Sequence, residues 1–321
     1  MLQGQADRWQ PGISNRMDAD LAADTRVRPS EVPGRYYITL PIHWDYLLPS
    51  GGVVMTCALR AAELHLADAE LRMTSATTIF ATPIHAGELV ADVHVIRRGG
   101  TTAQVRVALR HVQHASNEGA VELLATFARD RRGPDVTCAA IPSWAKPLAQ
   151  SIDVETDANV NPHARFRFNQ QFDCKIADGS AAGWPTVADG LPRYATWMRY
   201  RVPQRDVNGD FDRLALPPII DIMPAALHRA IASSSYRFYA PSLDLTAYSI
   251  DDTHREWMLI AVTLRRARAG FAIADAEVWD DEGRFIAYGA QTMYLRGVSG
   301  EAPTVDVSMR TIGADSRGAD R

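Results

Sequence analysis

Lysine is almost missing from the 321 residues: Lys146 and Lys175 are the only two, so arginine supplies nearly all the positive charge. Basic residues number 34 against 38 acidic ones, a formal charge of -4. Holding a phosphate backbone requires an excess positive field, so nucleic acid is not expected as a partner. Cysteine is scarce too. Cys57, Cys138 and Cys174 stand too far apart for a disulfide framework or a short-spaced zinc cluster, which fits a reducing cytoplasm. No run of about eighteen apolar residues is present to span a bilayer. The Gly-x-x-x-x-Gly-Lys phosphate loop, the Gly-x-Gly-x-x-Gly fingerprint, the Gly-x-Ser-x-Gly elbow and His-Glu-x-x-His are all absent. Nucleotidase, dehydrogenase, serine-hydrolase and zincin chemistries lose ground, and nothing calls for a metal or cofactor.

What is present is globular: 46% of residues are hydrophobic and 22% charged. Residues 1–34 and 298–321 are polar, small and arginine-rich and read as loose tails. Between them, the segment 136–162 has no sustained apolar period and reads as a linker joining units at 35–135 and 163–297. In the first unit, 36–40 is extended and 53–66 is apolar nearly all round, the pattern of a helix buried on every side. The β-rich stretches 74–82, 88–97, 101–112 and 120–130 follow, with turn signals at Arg98-Gly99-Gly100 and Ser116-Asn117-Glu118-Gly119. The second unit repeats this order: extended at 194–202, apolar and helical over 218–231, then strands near 243–249, 256–265, 271–279 and 285–294. A shift of 164 superimposes Glu118-Gly119 on Glu282-Gly283 and Arg132-Gly133 on Arg296-Gly297, so the halves read as copies.

The fold class this predicts is α+β: two tandem units, each a long central helix wrapped by a curved antiparallel sheet. One such sheet leaves a face or an edge unpaired, and a second copy in the chain covers it.

Gly51-Gly52 before the first helix, Arg97-Arg98-Gly99-Gly100, Ser242-Leu243-Asp244, and the tail Asp281-Glu282-Gly283-Arg284 through Ala290-Gln291-Thr292-Met293-Tyr294-Leu295-Arg296 stand in a telling order. Over residues 36–297 the chain resembles the double hot-dog acyl-CoA thioesterases, which fuse two hot-dog units in one polypeptide. The resemblance implies hydrolysis of acyl-CoA, or another acyl thioester, by direct attack of water. It also implies a site in which an aspartate of the second helix, a hydroxyl residue on the next strand and a glutamine on the last strand hold that water. Position by position these are Asp221, Ser242 and Gln291. Under the shift of 164 their first-unit partners are Cys57, Thr78 and Phe127, so a single working constellation per chain is expected. Where many relatives carry a histidine after the Leu-Asp pair, this chain has Leu245.

Each residue also has a structural reading. Asp221 could cap the helical turn that follows it, Ser242 could begin a strand, and Gln291 lies in an otherwise apolar strand where a long amide needs partners. Pro217, Pro218 and Pro224 predict a short or kinked helix around Asp221. Asp244 reads as a strand residue, His65 and His228 as cations at helix C-termini, and Arg97 and Arg98 as a solvated turn or as phosphate contacts. His43 and His85 read as loop or strand-end residues that could line an entrance, and neither is taken as a site residue. Rival functions are a shell that binds an acyl thioester without hydrolysis, favoured by Leu245 and the prolines, and a hydratase or dehydratase, which would need His65 or His228. Pocket depth is expected to depend on loops such as 179–190, and a homo-oligomer is compatible with the sequence.

Overall fold

The computed structural model describes residues 18–113, 119–157, 159, 161–178, 192–231 and 234–303. The turn expected at 116–119 falls largely outside these residues, and the loop 179–190 and the outer parts of both tails fall outside them.

Alternation sets the packing of the first unit. β5 (Thr102–His111) buries Ala103, Val105, Val107 and Leu109 while Gln104 and Arg106 face outward, the two-residue period of a sheet with one wet face. With β2 (Arg35–Leu40), β3 (Arg72–Phe80), β4 (Gly87–Arg98) and β6 (Val121–Ala128) it curves around α2 (Gly51–Leu66). α2 buries Val53, Met55, Cys57, Ala58, Leu59, Ala61 and Ala62 completely, as its lack of a polar face requires.

The second unit uses β9 (Arg193–Tyr200), β11 (Asp244–Ser249), β12 (Met258–Arg268), β13 (Phe271–Asp280) and β14 (Phe285–Tyr294). Its central helix is not continuous. It divides into α3 (Leu216–Ile220) and α4 (Pro224–Ala230), with Asp221, Ile222 and Met223 in the break. Pro224 lacks an amide hydrogen and its ring would clash with the carbonyl four residues back, so one helix cannot run through; Pro217 and Pro218 sit in the first turn of α3, where proline is tolerated.

The two units form one sheet of order β1-β2-β4-β5-β6-β3-β11-β14-β13-β12-β9-β8-β7, where β1 is Val27–Pro29, β7 is Ile152–Asp153 and β8 is Phe172–Ile176. Read inward from either side, β2-β4-β5-β6-β3 matches β9-β12-β13-β14-β11, a pseudo-two-fold centred on the antiparallel β3–β11 seam. Thr77 and Thr246 face each other there with hydroxyls 3.0 Å apart. Arg72 of β3 clamps Asp252 with two bonds of 2.6 Å, and Arg213 grips the same carboxylate at 2.8 and 2.9 Å.

A uniform shift does not describe the repeat. Ala76 pairs with Ala125, so a shift of 164 would pair Ala240 with Gly289; Gly289 instead pairs with Ala247. The connection from α4 to β11 is longer than that from α2 to β3 and carries an extra strand, β10 (Arg237–Tyr239), which pairs with β15 (Arg296–Ser299) in a second small sheet and offsets the copies. The segments read as tail and linker carry structure as well. α1 (Leu21–Asp24) buries Leu21 and takes the Trp44 indole N–H at 2.9 Å on Asp24. The linker packs Trp144 and Leu148 against Trp197 and Trp279.

Gly52 lies where the starts of α2 and α3 cross, and a Cβ there would run into the backbone of Pro217 and Pro218. Alanine ordinarily exceeds glycine in a helix by about 1 kcal/mol, but overpacking costs about 1–3 kcal/mol. Gly52→Ala is therefore expected to lower the midpoint of thermal unfolding; an unchanged or raised midpoint would show that the crossing is not tight.

Candidate active site

The break between α3 and α4 leaves Asp221 buried at 7% exposure over the seam. Gly289 on β14 allows that approach, since a Cβ there would collide with Ile220 and come within 2.9 Å of the Thr246 carbonyl. Two positions along the same strand, Gln291 turns inward and is 1% exposed. Ser242 precedes β11 and bridges Met293. Asp244 helps to hold this register by accepting the Thr292 N–H at 2.9 Å.

The structure brings the three expected residues together. Gln291 Nε2 donates to Asp221 Oδ1 at 2.6 Å and to Ser242 Oγ at 2.5 Å, and the Ser242 hydroxyl donates to Asp221 Oδ1 at 3.2 Å. The other carboxylate oxygen reaches into the first unit: Asp221 Oδ2 accepts the Ser50 hydroxyl at 2.8 Å and the Gly52 N–H at 2.9 Å. Asp221 thus does cap a helix, but not its own. It follows α3, α4 has no side-chain cap, and the amide it satisfies belongs to α2. Burial is the largest influence on its carboxyl and pushes it above its ordinary value. The bonds from Gly52, Ser50, Gln291 and Ser242 pull the other way without cancelling that rise. Gln291 Oε1 is buried and has no hydrogen-bond partner.

Ser50 and Gly52 were not singled out as site residues by sequence reasoning. Their signal was the Pro-Ser-Gly-Gly run ahead of an apolar helix, which reads equally well as an ordinary cap. Other candidates settle into structural places. Leu245 is fully buried and pairs with Thr78 of β3. Arg98 bonds the Leu66 carbonyl at 2.8 Å and Asp68 at 3.1 Å, closing the end of α2. His65 meets the Tyr36 hydroxyl at 3.0 Å. His228 stacks on Phe238 at 4.4 Å, and burial brings its imidazole down to about 4, so it is neutral near pH 7 and does not act as a capping cation. His43 lies 3.5 Å from Asp24, and the His85 amide donates to His111.

Family comparison decides between these frames. An acyl-CoA thioesterase N-terminal domain model matches residues 40–128, and an acyl-CoA thioesterase C-terminal domain model matches residues 146–295. The chain belongs to the acyl-CoA thioesterase family. Among solved structures, a conserved hot-dog-fold protein from Alicyclobacillus acidocaldarius superimposes with a TM-score of 0.72 at 17% identity, covering 88% of this chain and 98% of that one. The acyl-CoA thioesterase II TesB2 of Mycobacterium marinum gives 0.68 at 19% identity, covering 88% and 100%. The tesB protein of Mycobacterium avium subs paratuberculosis gives 0.64 at 16%, covering 86% and 97%. These likenesses establish the double hot-dog architecture. No curated protein matches the sequence.

This acyl-CoA thioesterase family member is unequal at its two helix starts. α2 opens with Gly51-Gly52, and the Gly52 amide serves Asp221, whereas the first turn of α3 holds Pro217 and Pro218, which have no amide hydrogen to give. Within α2, burial pushes the Cys57 thiol up to about 12, so it is a neutral core group. Thr78 Oγ1 is buried without a partner, and Phe127 is core.

Removing the Asp221 carboxylate would uncap α2, a loss of about 1 kcal/mol, and strand buried donors at about 1–3 kcal/mol. Asp221→Ala is expected to lower the denaturant midpoint clearly more than Ser242→Ala does. Stability within about 0.5 kcal/mol of the parent, the range of ordinary surface changes, would contradict the cap.

Proposed function

We propose that the protein is an acyl-CoA thioesterase that releases a carboxylic acid and coenzyme A by direct attack of water, with Asp221 as general base and Ser242 and Gln291 as the groups that hold the water. The observation that carries this reading is the convergence of all three side chains within hydrogen-bond distance, with a buried, unpartnered Gln291 Oε1 beside them. A water bonded to that oxygen gives one hydrogen to Gln291 and the other to Asp221. As its oxygen bonds to the acyl carbon, the proton passes to the carboxylate and the carbonyl π pair moves onto oxygen. Collapse breaks the carbon–sulfur bond, and the proton held by Asp221 goes to the departing thiolate. No acyl-enzyme is required.

A cytoplasmic setting is part of this reading, and the three free cysteines are what supports it. Among the described residues no helix is long and apolar enough to cross a membrane. A shell that binds thioesters without turnover draws on one observation: both Asp221 oxygens already accept two bonds each, so water must displace an existing contact. The hydratase reading has less, since neither His65 nor His228 bonds to this carboxylate.

Free-thiol release from acyl-CoAs of graded length tests the proposal. Turnover is expected with at least part of the series, and Asp221→Asn is expected to lower kcat by about 10²–10⁴. Because the base acts ionised and its carboxyl is raised, kcat/KM should climb with pH along a limb above the ordinary carboxylate region of about 4. Tight binding with no release across the series would favour the non-hydrolytic shell.

A further inference from the structure

Ser50 stands at the position before α2 where a serine side chain ordinarily accepts from the amide two or three residues on. It makes no such bond. Its side chain is buried, at 3% exposure, and its hydroxyl hydrogen goes to Asp221 Oδ2 in the other unit. The amide two residues on, that of Gly52, donates to the same oxygen. Serine and aspartate have exchanged tasks: the aspartate caps the helix, and the serine holds the aspartate. Space around that oxygen is tight, since a Cβ on Gly51 would lie 3.2 Å from Asp221 Oδ2 and 2.9 Å from the Phe80 ring.

We infer that Ser50 is a positioning residue for the hydrolytic reaction: its hydroxyl fixes the Asp221 carboxylate plane so that Oδ1 stays turned toward Ser242 and Gln291. This rests on the hydrolase reading above. With Ser50 in place, two donors from the first unit fix Oδ2. Without it Oδ2 keeps only the Gly52 amide, and the carboxylate plane is held less firmly on the side of the first unit while Oδ1 keeps its bonds to Ser242 and Gln291. The first unit then contributes chemistry as well as walls, although it holds none of the three residues around the water. A cap-only serine would behave differently, because α2 keeps its cap from Asp221 whatever stands at position 50.

The titratable side chain facing Asp221 is Tyr46, on the loop before α2. Burial first, and then the Asp221 charge, hold its hydroxyl well above its ordinary value, so it stays neutral through the pH range of interest. On the other elements packed against the carboxylate, Ser242 and Gln291 carry no charge. Loss of the Ser50 donor therefore acts on Asp221 alone, disfavouring its ionised form.

The test compares the full-length parent with Ser50→Ala and Ser50→Thr, reading acyl-CoA hydrolysis against pH. In parallel, carbon-13 NMR follows titration of the Asp221 carboxyl, its resonance assigned with Asp221→Asn. Ser50→Ala is expected to lower kcat/KM at neutral pH by about tenfold, the order of one lost bond to a charged group. Its acid limb and the Asp221 titration should both move to higher pH, and Ser50→Thr should restore both. An Asp221 titration that stays in place in Ser50→Ala would overturn the role of Ser50. A parent that releases no thiol would strike the hydrolase reading instead, and the titration would still decide whether Ser50 holds the carboxylate.

Discussion

A carboxylate taken into a dry interior loses several kcal/mol of hydration, and only surrounding donors can hold it there ionised. Asp221 meets that requirement with hydrogens from Ser50, Gly52, Ser242 and Gln291, two on each oxygen. The donors come from both units, so the environment exists only when the halves are docked. The same atom group caps α2, ties the units together at their helix starts and stands at the centre of the proposed chemistry. Stability and reactivity are joined at one side chain, and its raised carboxyl follows from burial that its bonds offset only in part.

Pseudo-symmetry explains why this happens once. The strand order is the same from either side of the β3–β11 seam, so the two helix starts are related positions and a site could form at either. Backbone chemistry separates them. Gly51-Gly52 offers an amide and leaves room for an oxygen, while Pro217-Pro218 offers no hydrogen and fills the crossing. Pro224 then breaks the second helix, and the break is what frees Asp221 to reach across. The first unit's own core at this level is Cys57, Met55 and Leu59, packed without charge.

Periodic elements were legible in the sequence because their period reports burial directly. The alternation of β5, the apolar α2 and the strand of Gln291 fall within a residue or two of where the pattern puts them, and the proline-rich helix is broken as its composition demands. Short pieces were not legible. α1, β1, β7 and β8 have too few residues to show a period; Leu21 in the core and Trp44 on Asp24 hold α1, and pairing with neighbouring strands holds the other three. The uniform repeat shift failed because the segment inserted ahead of β11, which carries β10, moves the register of the strands that follow and is too short to show a period. At the site, residue types alone left Asp221 open between cap and base. It is a cap for the opposite helix, a relation between residues 169 apart in sequence. Ser50 escaped notice for the converse reason: it looks like a normal N-cap until its hydroxyl is seen turned away.

The central claim is that one of the two related positions in the chain carries the constellation and the other does not. Calorimetric titration of the full-length protein with a non-hydrolysable thioether analogue of acyl-CoA counts the working sites directly. One analogue bound per chain is the required outcome; two equivalent sites per chain, or none, would contradict it.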